Sequence, residues 1–208
     1  MSRKYELPAG FEKTLSQFRA AKIQIASDYR QKILAEGNPS CRKGCSRCCY
    51  YPVLTSLMEA ILVYRGIFRN HLWTSTLRAK FQEAADRVRG LKLEIWTLSE
   101  IPCPLLDVEQ GTCKAYSSRP FSCQTVYSRK HPHYCHPART SGLTQLVPRK
   151  EALEEFGKTD SEMMRRHQLG KIQLPLASAV LLAEKLDKGE IDFSTCSRMV
   201  WKEYIQKW

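Results

Sequence analysis

The chain has 208 residues, 43% hydrophobic and 26% charged, a balance that excludes wholesale disorder and is long enough for one domain with a sizeable core. Lysine and arginine number 33 against 21 acidic residues, a formal charge of +12. Such a charge favours an acidic partner or nucleic acid and says nothing about fold.

The opening MSRKYELPAGFEKT lacks the apolar run of a signal peptide, and no stretch reaches the length of a membrane span. The expectation is a soluble, cytoplasmic chain with no membrane contact. Residues 11 to about 36 are expected to form a helix. Phe11, Leu15, Phe18, Ile25, Tyr29 and Ile33 make an apolar stripe interrupted by Lys22. Gly37 and Pro39 stop it. After the dense segment CRKGCSRCCY, Ser56 and Glu59 read as a capping box before a second helix. A third helical pattern runs from about Trp73 through Leu77, Phe81, Ala84 and Val88 to Gly90, and residues 91 to 98 continue it less regularly.

From 102 to 136 the texture changes. CPLLD and TCKAY flank a turn at Gly111 and predict a small hairpin. Pro120 is placed to open a short helix carrying Cys123. Helical patterning returns at about 150–168, 175–188 and 192–206, with no internal repeat. The expected fold is mainly α, a helical domain around an irregular cysteine-rich metal-binding centre with a small β-hairpin. Three segments are expected: an N-terminal helix over 1–40, a cysteine-cluster unit over 41–136 with a helical insert at 56–98, and a C-terminal helical region over 137–208 packing on it.

Eight of the nine cysteines form two groups: Cys41, Cys45, Cys48 and Cys49, then Cys103, Cys113, Cys123 and Cys135. In a reducing compartment such density points to metal rather than to disulfides. A disulfide scheme would also leave adjacent Cys48 and Cys49 needing diverging partners. Cys45-x2-Cys48 is the spacing of a metal knuckle. Adjacent side chains diverge, so Cys48 and Cys49 either reach two neighbouring ions or divide into one ligand and one packing residue. All eight are candidate ligands, and ligation by at least four is expected. Eight thiolates on two divalent ions would lower the charge to about +8.

These residues carry a resemblance. Cys41, Cys45, Cys48 and Cys49 precede Thr55 and Glu59. Cys103, Pro104 and Leu106 follow, then Gly111, Cys113, Tyr116, Arg119 and Pro120, and finally Cys123 and Cys135. Over residues 41 to about 136 this pattern resembles the cysteine-cluster proteins of the YkgJ type, described as a zinc- or iron-chelating domain. The resemblance implies a metal-binding module and supplies no reaction. Flagellin lysine methylases are similar in their cysteine motif, but this chain has no Gly-rich cofactor loop after a strand. All-sulfur ligation suits zinc and iron–sulfur clusters alike. Zinc is the first choice, with iron or an iron–sulfur cluster as the alternative.

Glu59, Asp107 and Arg119 are the candidate polar frame, with Arg119 expected to pair with Glu59 or Asp107 and tie the cysteine segments together. Arg42, Lys43 and Arg47 lie among the first sulfurs, either favouring thiolate or simply solvated. His131, His133 and His136 surround Cys135, though sulfur ligands already suffice. Arg129, Lys130 and Arg139, with Tyr127 and Tyr134, form a basic aromatic loop suited to anion contact. Cys196 fits an apolar core position beside Phe193, Val200 and Tyr204. Trp201 and Trp208 are candidate docking anchors for a larger assembly. No catalytic constellation stands out, so the leading expectation is a metal-organised basic module for a partner, nucleic acid favoured. The alternatives are an enzyme with a redox-active iron–sulfur centre and a structural component of an assembly.

Overall fold

The computed structural model describes residues 5–42, 44–135, 147, 149–169 and 173–200. Helix α1, Phe11–Ala35, forms on the predicted stripe and buries Phe11, Leu15, Phe18, Ile25, Tyr29 and Ile33. The interrupting Lys22 is buried with them. A 3-10 turn at Arg47–Tyr50 and strand β1, Leu54–Ser56, lead into α2, Leu57–Arg69. Ser56 caps α2 by accepting the Glu59 N–H. The capping box is only half made, because the Glu59 carboxylate turns inward to other partners.

Helix α3, Ser75–Val88, is capped by the Thr74 hydroxyl, and a short α4, Leu93–Leu98, follows. Strands β2, Leu106–Asp107, and β3, Thr112–Cys113, pair antiparallel as the expected hairpin, with Leu106 opposite Cys113. A 3-10 turn at Tyr116–Ser118 precedes α5, Phe121–Gln124, which carries Cys123. Another 3-10 turn, Pro132–Cys135, ends the cysteine segments. Helix α6 spans Lys150–Arg166, strand β4 Gln173–Pro175, α7 Leu176–Asp187 and α8 Phe193–Val200. The chain is mainly α.

Two strand–helix units lie at the centre. β1 runs straight into α2 and β4 into α7. The strands pair antiparallel with Thr55 opposite Leu174, and α2 packs along α7. Both helices are rich in buried apolar residues, Met58, Ala60, Ile61 and Val63 in α2 and Ala177, Ala179, Val180 and Ala183 in α7. This sheet joins segments more than a hundred residues apart through three-residue strands, too short for any local periodicity to announce them. Around the unit, α1 packs on α6 and α3 on α7. One hydrophobic core runs from Phe11 to Cys196 and draws on all three expected segments. Cys196 and Phe193 are buried in it, whereas Trp201, Tyr204 and Trp208 lie outside the described residues. Among the described residues no helix is long and apolar enough to cross a membrane.

Candidate metal centre

The two cysteine groups meet. The Cys103 N–H donates to the Cys49 carbonyl at 2.8 Å, joining the first group to the strand of chain that enters the hairpin. At the hairpin turn, Gly111 has a φ of 62°, and a Cβ there would stand 2.6 Å from the Gly44 carbonyl oxygen. Only a glycine lets the turn close on the first cysteine loop. Tyr51, just past the Arg47–Tyr50 turn, donates its hydroxyl to the Cys135 carbonyl at 3.0 Å. The Ser128 N–H donates to Cys41 Sγ at 3.3 Å, and the Ser40 N–H to the Ser128 carbonyl at 2.7 Å.

Cys123 is seated by its neighbours. Phe121 is fully buried and stacks on Phe156 of α6, ring centroids 4.2 Å apart and 8° from parallel. Burying such a ring contributes about 2–3 kcal/mol, enough to hold a four-residue helix that has no stability of its own. The preceding turn rests on α2 where Gly66 has no side chain; a Cβ there would collide with Ser118.

Behind α5 lies a buried polar knot. Lys22 Nζ is 3.3 Å from Glu59 Oε1, and the same ammonium donates to the Arg119 carbonyl at 2.7 Å. Glu59 also accepts the Phe121 N–H at 2.6 Å and the Thr55 hydroxyl at 3.0 Å. Lys22 therefore takes the role expected of Arg119. The long side chain that reaches Glu59 comes from α1, while Arg119 faces outward, its guanidinium 3.7 Å from the Tyr116 ring centroid and donating to the Tyr116 carbonyl. Asp107 instead accepts the Gln110 N–H within the hairpin turn. The sequence signal for Lys22 was a lone cation on an otherwise apolar stripe.

The sulfurs are one another's electrostatic neighbours. A hydrogen bond from the Cys49 thiol, assisted by Arg119 and Arg149, lowers the Cys48 pKa, and the same bond pushes Cys49 strongly up. Burial raises Cys41, Cys113 and Cys123, and takes Cys103 to about 12. Arg149 was not anticipated. It is half-buried and donates to the Ser122 carbonyl and, at 3.3 Å, to the Thr125 hydroxyl. Among the described residues no carboxylate pairs with it. Burial lowers its pKa, and the charges that oppose this belong to Cys123, Tyr29 and Cys48.

Other expected residues fall outside this arrangement. Arg129 is tied to Glu36 at 3.0 Å, so it closes the end of α1 rather than standing free for an anion. Lys130, Arg42 and Arg47 are exposed. His131 accepts the His133 N–H, and both side chains are exposed. Lys43, His136 and Arg139 lie outside the described residues.

Residues 40–155 match the family model CxxCxxCC, described as "Putative zinc- or iron-chelating domain". The chain belongs to the CxxCxxCC family. It is thus a metal-binding protein of the zinc-or-iron class. No curated protein and no solved structure matches it.

The donor set fits that class. All nine cysteines are free thiols, so eight sulfurs are at hand around the centre. Backbone amides already point at several: Leu105 and Leu106 at Cys103, Ala115 at Cys113, and Ser128 at Cys41. N–H donors aimed at sulfur favour thiolate, the form that ligates. Among the described residues no three His, Cys, Asp or Glu side chains are yet grouped to hold an ion. Binding therefore has to draw neighbouring sulfurs inward, and its free energy would tighten the segments that bear them.

Proposed function

We propose that the sulfur centre holds zinc, with iron as the alternative, and that the bound metal fastens the cysteine segments into a basic body that engages an acidic partner, nucleic acid above all. The observation carrying this reading is the meeting of free cysteines from two remote segments beside two cations, Arg119 and Arg149, both of which act on Cys48. An assembly of thiolates around a divalent ion is net anionic, and adjacent cations offset that charge.

Elemental analysis and a visible spectrum of protein purified without air test the metal. Zinc and a colourless solution are expected. A brown, redox-responsive protein would replace zinc with an iron–sulfur centre, and protein free of both metals would remove the reading.

The partner reading is supported by the net charge of +12 and by exposed Arg42, Arg47 and Lys130 flanking the sulfurs. Fluorescence anisotropy with a labelled oligonucleotide tests it across a salt series. Affinity should fall steeply with added salt. Absence of binding at low salt would exclude nucleic acid as the partner.

A further inference from the structure

The positive charge of the chain is not spread evenly. Residues 37–58 and 110–150 contain no Asp or Glu, against three Lys or Arg in the first stretch and seven in the second. Folding brings the two stretches together: the Gly111 turn closes on Gly44, Ser128 donates to Cys41 Sγ, and Tyr51 donates to the Cys135 carbonyl. The carboxylates at their borders are mostly neutralised. Glu36 pairs with Arg129, Glu59 with Lys22 and Glu151 with Lys32. Among the described residues Glu109, exposed on the hairpin turn, is the exception. Arg42, Arg47, Lys114 and Lys130 stay exposed. Like charges gathered in one region repel one another, and a polyanion relieves that repulsion.

Two tyrosines of the second stretch lie open in the same region, Tyr116 at 65% exposure and Tyr134 at 48%. Tyr116 is held in place. The Arg119 guanidinium stands 3.7 Å from its ring centroid, and Arg119 Nε donates to the Tyr116 carbonyl at 3.1 Å. Arg119 is fixed in turn, its carbonyl accepting Lys22 Nζ at 2.7 Å and Gln124 Nε2 at 2.8 Å. The guanidinium covers one face of the ring, so the exposed surface includes the other. Tyr134 belongs to the 3-10 turn that packs on the Arg47–Tyr50 turn, its ring nearly perpendicular to that of His133 with centroids 5.6 Å apart. Exposed rings among cations are platforms on which unpaired bases stack. In a duplex the base faces are already covered by their neighbours and do not reach such a ring.

We infer that this rim of the sulfur centre is a site for single-stranded nucleic acid, where Tyr116 with Arg119, and Tyr134, each take an unpaired base while the exposed cations hold the phosphates. The inference rests on the acidic-partner reading above and names the class of polyanion. Charge alone would accept any polyanion, an acidic protein included. The exposed rings select one that carries open bases.

Fluorescence anisotropy at low salt tests this on the protein as purified, with four labelled probes of matched length. These are a mixed-sequence single strand, the same strand without bases, its duplex, and polyglutamate. The intact single strand should bind about tenfold tighter than each of the others, a comparison that depends on no variant. Tyr116→Ala, at a mostly exposed position, should weaken the intact strand about tenfold and leave the abasic strand unchanged. Tyr116→Phe should bind as wild type does. Abasic strand, duplex or polyglutamate binding as tightly as the intact strand would overturn the stacking site while leaving an acidic partner in place. So would a Tyr116→Ala variant that binds the intact strand like wild type, or weakens both strands alike. Failure of all four probes to bind would overturn the acidic-partner reading itself.

Discussion

Lys22 and Glu59 form an ion pair inside the core, 3.3 Å apart with side chains 4% and 3% exposed. Removing one partner strands a charge away from water, which costs about 3–5 kcal/mol. Removing both costs less than the sum, because neither charge is then left alone. Urea denaturation of Lys22→Met, Glu59→Gln and the double variant should show this sub-additivity. Additive losses would mean that the two side chains act independently. The Glu59 variant should also loosen the start of α5, since the carboxylate holds the Phe121 N–H.

Gly111→Ala is expected to damage the centre more than an ordinary glycine substitution does. At Gly90, with φ 73°, a Cβ meets nothing within 4 Å, so Gly90→Ala carries only the backbone strain, about 1 kcal/mol. Gly111 carries the same strain and a contact with the Gly44 carbonyl as well. Thermal melting of the metal-loaded variants should rank Gly111→Ala clearly below Gly90→Ala. Equal melting temperatures would show that the hairpin turn does not need its approach to the first cysteine loop.

Arg149 should matter to metal retention. Replacing it with Gln removes a cation beside Cys48 and Cys123 and weakens the grip on the Ser122 carbonyl. Groups bordering a metal shell commonly change affinity by about tenfold or more. Zinc transfer from Arg149→Gln to a chromogenic chelator should be about tenfold more favourable than from wild type. Arg149→Lys, keeping charge but not the forked geometry, should recover part of the difference. Unchanged retention in the Gln variant would confine Arg149 to bracing the loop.

Glu184 sets an acid limit on stability. Burial alone would raise its pKa, but bonds from Lys188, Trp73 and Arg78 outweigh burial and hold it below 4.5. The unfolded chain therefore takes up the proton first as pH falls. The stabilisation is complete above pH 4.5 and is lost as pH drops through the lower folded value. Denaturation midpoints for wild type should decline across that window, and Glu184→Gln should be less stable at neutral pH with a shallower decline. Parallel profiles would assign the acid sensitivity to other carboxylates.

Local features were legible before folding was considered. The stripe of α1, the cap at Ser56, the turn at Gly111 and the short helix after Pro120 each depend on residues within a few positions of one another, so periodicity and turn chemistry reveal them. The sulfur spacing likewise identified the metal-binding class, because ligand type and density are properties of composition. What folding decided is who meets whom. Lys22 pairs with Glu59 only because α1 lies along α2, and Arg149 reaches Cys48 and Cys123 only because α6 begins behind α5. β1 finds β4 only when α2 and α7 bury one another. Such contacts join segments tens to more than a hundred residues apart, and they are selected by core packing, which no stretch of sequence contains by itself.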